Sequence, residues 1–260
     1  MRQADIQAAA KVLVDRRLNN RLTGPLEPPF RPSTVDDALA IQQAVIELAE
    51  DSVGGWKCAL PIEIDGLKEV PVLAPIFTES VYQGSCCSMN TDEGVCKIEP
   101  EIAFQFGQTL PRRPQPYTDQ EIVAALSGAR LSLELIQSRY LDPDSISYFE
   151  HLSDCLFNQG LYLGPEISLE QAFKASEIEF SLKIGSISES VGISGKHPNI
   201  YPQVPLFWLV NFLRERGRGI EAGQWVITSS YAGVIEIPTD KVFTLAYEKL
   251  GEISLQFELN

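Results

Sequence analysis

Residues 96–106, CKIEPEIAFQF, alternate between two chemistries with a period of two. Side chains of a β-strand point to opposite faces in turn, so the alternation predicts a strand with two unlike faces. Ile98, Pro100, Ile102, Phe104 and Phe106 share one face, suited to a core. Glu99, Glu101, Ala103 and Gln105 share the other. The two glutamates then lie roughly 7 Å apart at the backbone, with side chains able to converge. Such a pair must be solvated, share a proton, or hold a cation between its members. On spacing alone, a solvated strand face and a cation site both remain open. A second alternating stretch, RLSLELIQSR (130–139), puts Leu131, Leu133 and Leu135 on one face and Ser132, Glu134 and Ile136 on the other. Glu134 is thus a third carboxylate on the less apolar face of a strand.

Around these strands the chain divides by character. Residues 1–53 read as mainly helical. Ile6, Ala9, Ala10, Leu13 and Val14 make one apolar stripe; Val35, Ala38, Ile41, Val45 and Leu48 make a second, with Ser33 and Asp36 as its expected N-cap and capping pair. From Gly54 onward strands and turns dominate. A short strand is expected to carry Lys57, a helix opens at Thr118, a hairpin turns near Gly185 and Ser186, and a helix over VPLFWLVNFLRERG closes at Gly217. Three or four strands follow to the C-terminus. We find no internal repeat and no flexible linker. A single α+β domain over 1–260 is the expectation, a helical N-terminal part packed on a β-rich core of residues 54–260.

Charge narrows the partners. With 35 acidic against 21 basic residues, the net charge is −14. That field repels phosphate backbones and anionic lipid, so nucleic acid and membrane surfaces are not expected partners. An organic-acid ligand would need local positive charge, from a metal ion or a placed lysine or arginine. No apolar run approaches the roughly 18 residues of a spanning helix. Asp5, Lys11 and Asp15 break up any signal-peptide core. Five cysteines without a CxxC pair point to reduced thiols in a cytoplasmic protein, and no disulfide or metal is expected at Cys86 and Cys87.

The fragments EPEIAFQF, LSLELIQSR, SDCLFNQGLYLGP, HP…PLFWLVN, GQWVITSS and LGEISLQF, in this order, resemble the 2-keto-4-pentenoate hydratase and 4-oxalocrotonate decarboxylase group of the fumarylacetoacetate hydrolase superfamily. The resemblance runs from about Gly54 to the C-terminus. It implies a β-rich core with a divalent cation, Mg2+ or Mn2+, held by Glu99, Glu101 and Glu134. It also implies a small-molecule 2-oxo acid as ligand, a homo-oligomer, and a place in aromatic catabolism. Lys57, in GGWKCALP, matches the group's lysine, which could move a proton at an enol carbon. A nearby cation would lower its pKa. Asp154, Thr228 and Ser229 match substrate-binding positions. Asp154 reads equally well as a helix or turn cap, Ser229 replaces a glycine, and His197 reads as structural.

One departure bears on the reaction. Active hydratases of the group carry an acidic or hydroxylic residue after the lysine strand, where this chain has VPVLAPIF. Val72, Leu73 and Ala74 offer no proton-transfer side chain. The first reading is a metal-dependent lyase of the hydratase type, acting on a 2-hydroxydienoate or 2-oxo acid through a metal-stabilised enolate. The second is a decarboxylase or keto–enol tautomerase on a related acid. The third is a non-catalytic homologue that binds a carboxylic acid.

Overall fold

The computed structural model describes residues 1–91, 94–185 and 189–259. Six α-helices are seen among them: α1 (Gln3–Leu18), α2 (Val35–Leu48), α3 (Asp119–Ala125), α4 (Tyr148–Ser153), α5 (Leu169–Lys174) and α6 (Gln203–Glu215). The strands are β1 (Val53–Ile64), β2 (Leu67–Phe77), β3 (Val81–Gln83), β4 (Cys86–Met89), β5 (Val95–Phe106), β6 (Leu126–Ile136), β7 (Asn158–Ile167), β8 (Glu177–Ile184), β9 (Val191–Lys196), β10 (Trp225–Ile227), β11 (Ile235–Pro238), β12 (Phe243–Tyr247) and β13 (Glu252–Leu259).

The larger sheet runs β2-β1-β10-β5-β6-β7-β3, with β11 pairing on β5 beyond the end of β10. The smaller runs β4-β13-β12-β8-β9. The alternation read in β5 decides how they stack. Ile98, Ile102, Phe104 and Phe106 join Leu131, Leu133 and Leu135 of β6 in the main core, against Phe180, Phe243, Tyr247 and Phe257 of the smaller sheet. The opposite, inner face of the larger sheet is filled midway by Ile76, Ala103, Leu161, Leu163, Trp225 and Ile227. At one end of this inner face stand Glu99, Glu101 and Glu134. The helices α1 and α2 cover the β2 side of this face, packing Ile6, Ala9, Leu13, Ile41 and Val45 against Ala74, Phe77 and Cys155.

Local chemistry accounts for the joints. Gly55 lets β10 run beside β1, because a Cβ there would meet the Trp225 carbonyl oxygen at 2.4 Å. Asp65 and Gly66, both left-handed, make the tight β1–β2 turn. α6 ends as expected, with Gly217 left-handed just past it.

Some expectations shift. The cap of α2 is Thr34, whose hydroxyl accepts from the Asp37 N–H, one residue beyond the expected Ser33 and Asp36. The strand carrying Lys57 is 12 residues long rather than short. The expected hairpin is β8–β9, with Gly185 in its turn; Ser186 lies outside the described residues. The side chain of Cys86 lies outside them too, whereas Cys58, Cys96 and Cys155 are buried thiols. Among the described residues, no helix is long and apolar enough to cross a membrane.

Candidate metal centre

Strand register assembles the three glutamates. Glu99 of β5 pairs directly with Glu134 of β6, and Glu101 pairs with Ser132. Opposite residues of an antiparallel pair share a face, so all three carboxylates point inward together. One oxygen from each lies within 4.8 Å of the others. Glu101 and Glu134 are buried, and Glu99 is half-buried.

Lys57 reaches the cluster from β1, two strands away. It pairs with Ile227 of β10, which pairs with Ala103 of β5, and so stands on the same face. Its ammonium nitrogen is 2.7 Å from Glu134 Oε1 and donates to the Leu156 carbonyl at 3.1 Å. The second donor to Glu134 Oε1 is Asn158 Nδ2, at 2.8 Å. Glu134 Oε2, although buried, has no hydrogen-bond partner.

The backbone that supplies Leu156 and Asn158 is unusual. Cys155, Leu156 and Phe157 are all left-handed, with φ of 63°, 47° and 65°. Non-glycine residues pay roughly 1–2 kcal/mol each for this conformation. Arg139 clamps the turn. Its Nε faces both carboxylate oxygens of Asp154 (2.9 and 3.0 Å), its Nη2 donates to the Asp154 carbonyl, and its Nη1 donates to that of Asn158. Arg17 Nη2 holds the Asn158 carbonyl as well. Asp154 is therefore the C-cap of α4 and the partner of a buried arginine.

Thr228 and Ser229 follow β10, where the chain leaves the edge of β5 before returning as β11. The Ser229 N–H donates to Glu101 Oε2 at 2.8 Å, and Ser229 keeps a left-handed φ of 105° in place of the expected glycine. His197 is buried behind this turn. Its Nδ1 accepts from the Asn199 N–H, which puts the proton on Nε2, facing the Thr228 carbonyl at 2.9 Å. Burial pushes His197 down to about 4, so it is neutral at pH 7, in the bracing role read from sequence. Arg139 and Asn158 were missed as site residues. Both lie inside motifs quoted above, but nothing in their spacing marks a role.

Electrostatics give the cluster its chemistry. Burial, then the like charge of Glu134, pushes Glu99 up to about 7 against the pull of Lys57. Burial and both neighbouring carboxylates push Glu101 well above its ordinary range. Burial pulls the Lys57 ammonium down, but Glu134, Glu99 and Glu101 together outweigh it and hold its pKa above the ordinary value. This is the direction without a cation; the lowering expected from sequence belongs to Lys57 beside a bound one. Three converging carboxylates, two of them reluctant to ionise and one with an unpartnered buried oxygen, are what a hard divalent cation would compensate. The donor set fits such an ion.

The wall beside Lys57 is apolar. Ala74 pairs with Lys57 across the β1–β2 hairpin, and Val72 pairs with Ala59 on the same face. Leu73 points the other way, into the main core.

Comparison with solved structures shows the fold. The fold is that of 4-oxalocrotonate decarboxylase from Pseudomonas putida G7, a structure holding magnesium and adipate, at TM-score 0.81 and 20% identity over 99% of both chains. In sequence, the chain is 24% identical to 2-keto-4-pentenoate hydratase of Paraburkholderia xenovorans, over 98% of this chain and 95% of that one. It is also 24% identical to 2-oxo-hept-4-ene-1,7-dioate hydratase of Escherichia coli, over 86% and 87%. No family model matches the chain. Over nearly its full length the chain is thus similar to members of the hydratase and decarboxylase group that its motifs resemble.

Proposed function

We propose that this protein is a divalent-cation-dependent enzyme acting on a 2-oxo acid or its 2-hydroxydienoate form, with enol–keto proton transfer faster than hydration. The convergence of Glu99, Glu101 and Glu134 with Lys57 on one inner face carries this reading. The three glutamates would hold the cation, Mg2+ or Mn2+. When bound, it supplies positive charge beside the 2-oxo oxygen, where negative charge builds up on enolisation.

The chain's own groups do the rest. Lys57 is the proton carrier at the reacting carbon, kept pointing at the cluster by Glu134 and the Leu156 carbonyl. The Ser229 N–H fixes Glu101, and the Thr228–Ser229 turn stands beside it to meet the substrate carboxylate. Ala59, Val72 and Ala74 exclude water beside Lys57 and supply no acid or base for its addition. This wall favours the tautomerase or decarboxylase reading over a plain hydratase.

The test uses one dienol substrate in 18O-labelled water, following loss of conjugation and oxygen incorporation at carbon 4 in parallel. Loss of the enol well ahead of labelling is expected. Equal rates would mean that water is activated from elsewhere and that this is an ordinary hydratase. Binding without either reaction would leave a non-catalytic protein.

A further inference from the structure

The cluster has an open end. Along β5 the inner-face residues go from buried Ala103 and Glu101 to half-buried Glu99, Lys97 and Val95. Along β6 they go from buried Ser132 and Glu134 to half-buried Ile136. Lys97 pairs with Ile136 one step beyond the Glu99–Glu134 pair, about 7 Å further on. A cavity of about 280 Å3 begins at that step. Its walls include Val95, Ile136 and Phe157, and three large apolar side chains that stand exposed at its rim, Leu22, Leu141 and Val234. The rim is fixed rather than loose: Thr23 bridges to Tyr140, and the Leu141 N–H donates to the Thr23 carbonyl.

We propose that this cavity takes the uncharged, apolar tail of a 2-oxo acid whose head sits at Glu99, Glu101 and Glu134. The proposal rests on the reading of the metal centre given above. Continuity of one strand face joins the two sites. Most of the polar wall groups are engaged within the protein, Tyr140, whose buried hydroxyl has no hydrogen-bond partner, excepted. Gln137 directs its amide N–H to Asn20 Oδ1, Ser138 directs its hydroxyl to the Tyr140 carbonyl, and Lys97 already has a partner. The net charge of −14 further opposes a second carboxylate. Water in a space of this size, about nine molecules at ~30 Å3 each, would be released by an apolar chain.

The test is calorimetric titration of the full chain, loaded with Mg2+ or Mn2+, with pyruvate, 2-oxohexanoate and 2-oxoadipate. Each buried methylene is expected to tighten binding three- to fourfold, so 2-oxohexanoate should exceed pyruvate by several tens of fold. 2-Oxoadipate should bind more weakly than 2-oxohexanoate. Val234→Asp, at a half-exposed rim position that costs the fold little, should flatten the dependence on chain length. Equal affinity for pyruvate and 2-oxohexanoate, or tighter binding of 2-oxoadipate, overturns the tail assignment and leaves the metal-centre reading intact. No binding by any of the three overturns both. If Val234→Asp changes the oligomeric state by light scattering while the length dependence survives, the rim is an interface between copies and the proposal fails.

Discussion

Arg139 holds Asp154 three times over: Nε lies 2.9 and 3.0 Å from its two carboxylate oxygens, and Nη2 donates to its backbone carbonyl. The pair is buried and closes the left-handed turn whose next residues supply the Leu156 carbonyl to Lys57 and the Asn158 amide to Glu134. A buried pair is costly to break from one side. Asp154→Asn should destabilise the protein by about 3–5 kcal/mol in urea unfolding, and Arg139→Met/Asp154→Leu together by much less than the sum of the singles. If Asp154 binds substrate instead, Asp154→Asn raises KM with stability unchanged.

Glu99 sets a pH dependence. Its pKa is about 7 in the folded, metal-free protein against an ordinary 4.5. Between these values the folded state binds more protons than the unfolded state, so stability falls as pH rises through this window, by an amount on the order of a few kcal/mol. With a chelator present, unfolding midpoints of wild type should drop between pH 5 and pH 7.5. Glu99→Gln should drop less, and added Mg2+ should remove most of the wild-type fall. Parallel curves for the two proteins would place Glu99 in solvent.

Lys57→Ala should lower turnover by roughly 10²–10⁴-fold, the usual worth of a positioned proton carrier. The same change should tighten cation binding, because the ammonium competes for Glu134 Oε1 and repels a dication. Calorimetry with Mn2+ checks the second effect independently of any substrate.

The Ser229 backbone is left-handed, and its hydroxyl is enclosed without a hydrogen-bond partner. Ser229→Gly relieves both costs against the added freedom of the unfolded chain, and should raise stability by about 1 kcal/mol in thermal or urea unfolding. Destabilisation instead would mean that the hydroxyl has a bound water as partner.

The parts of this site legible in sequence were those written in a local period. CKIEPEIAFQF and RLSLELIQSR each show which side chains share a face, so the three carboxylates could be placed on strand faces from two short stretches. Their meeting with Lys57 could not be read that way. β1 reaches β5 only through β10, a strand from the far end of the chain, and no local pattern encodes that pairing. β1 looked short because Pro61 and Pro71 interrupt the apolar pattern of its hairpin. The second strand, β2, ends the path of its sheet, where a missing N–H is tolerated. The turn over Cys155, Leu156 and Phe157 contains no glycine to announce its left-handed backbone; it is imposed by Arg139 and Arg17, whose role depends on tertiary contacts.

The apolar residues beside the glutamates, from Ala103 and Ile227 to Leu161 and Leu163, wall the proposed metal centre on the side away from Lys97 and Ile136. A ligand at Glu99 that fills the cavity at Lys97 and Ile136 would have to leave by that side. On the proposed reading the acid would enter head first, its tail would block the mouth while it reacts, and the product would have to depart before a successor could bind. Product and substrate therefore exclude one another, and inhibition by product should be competitive.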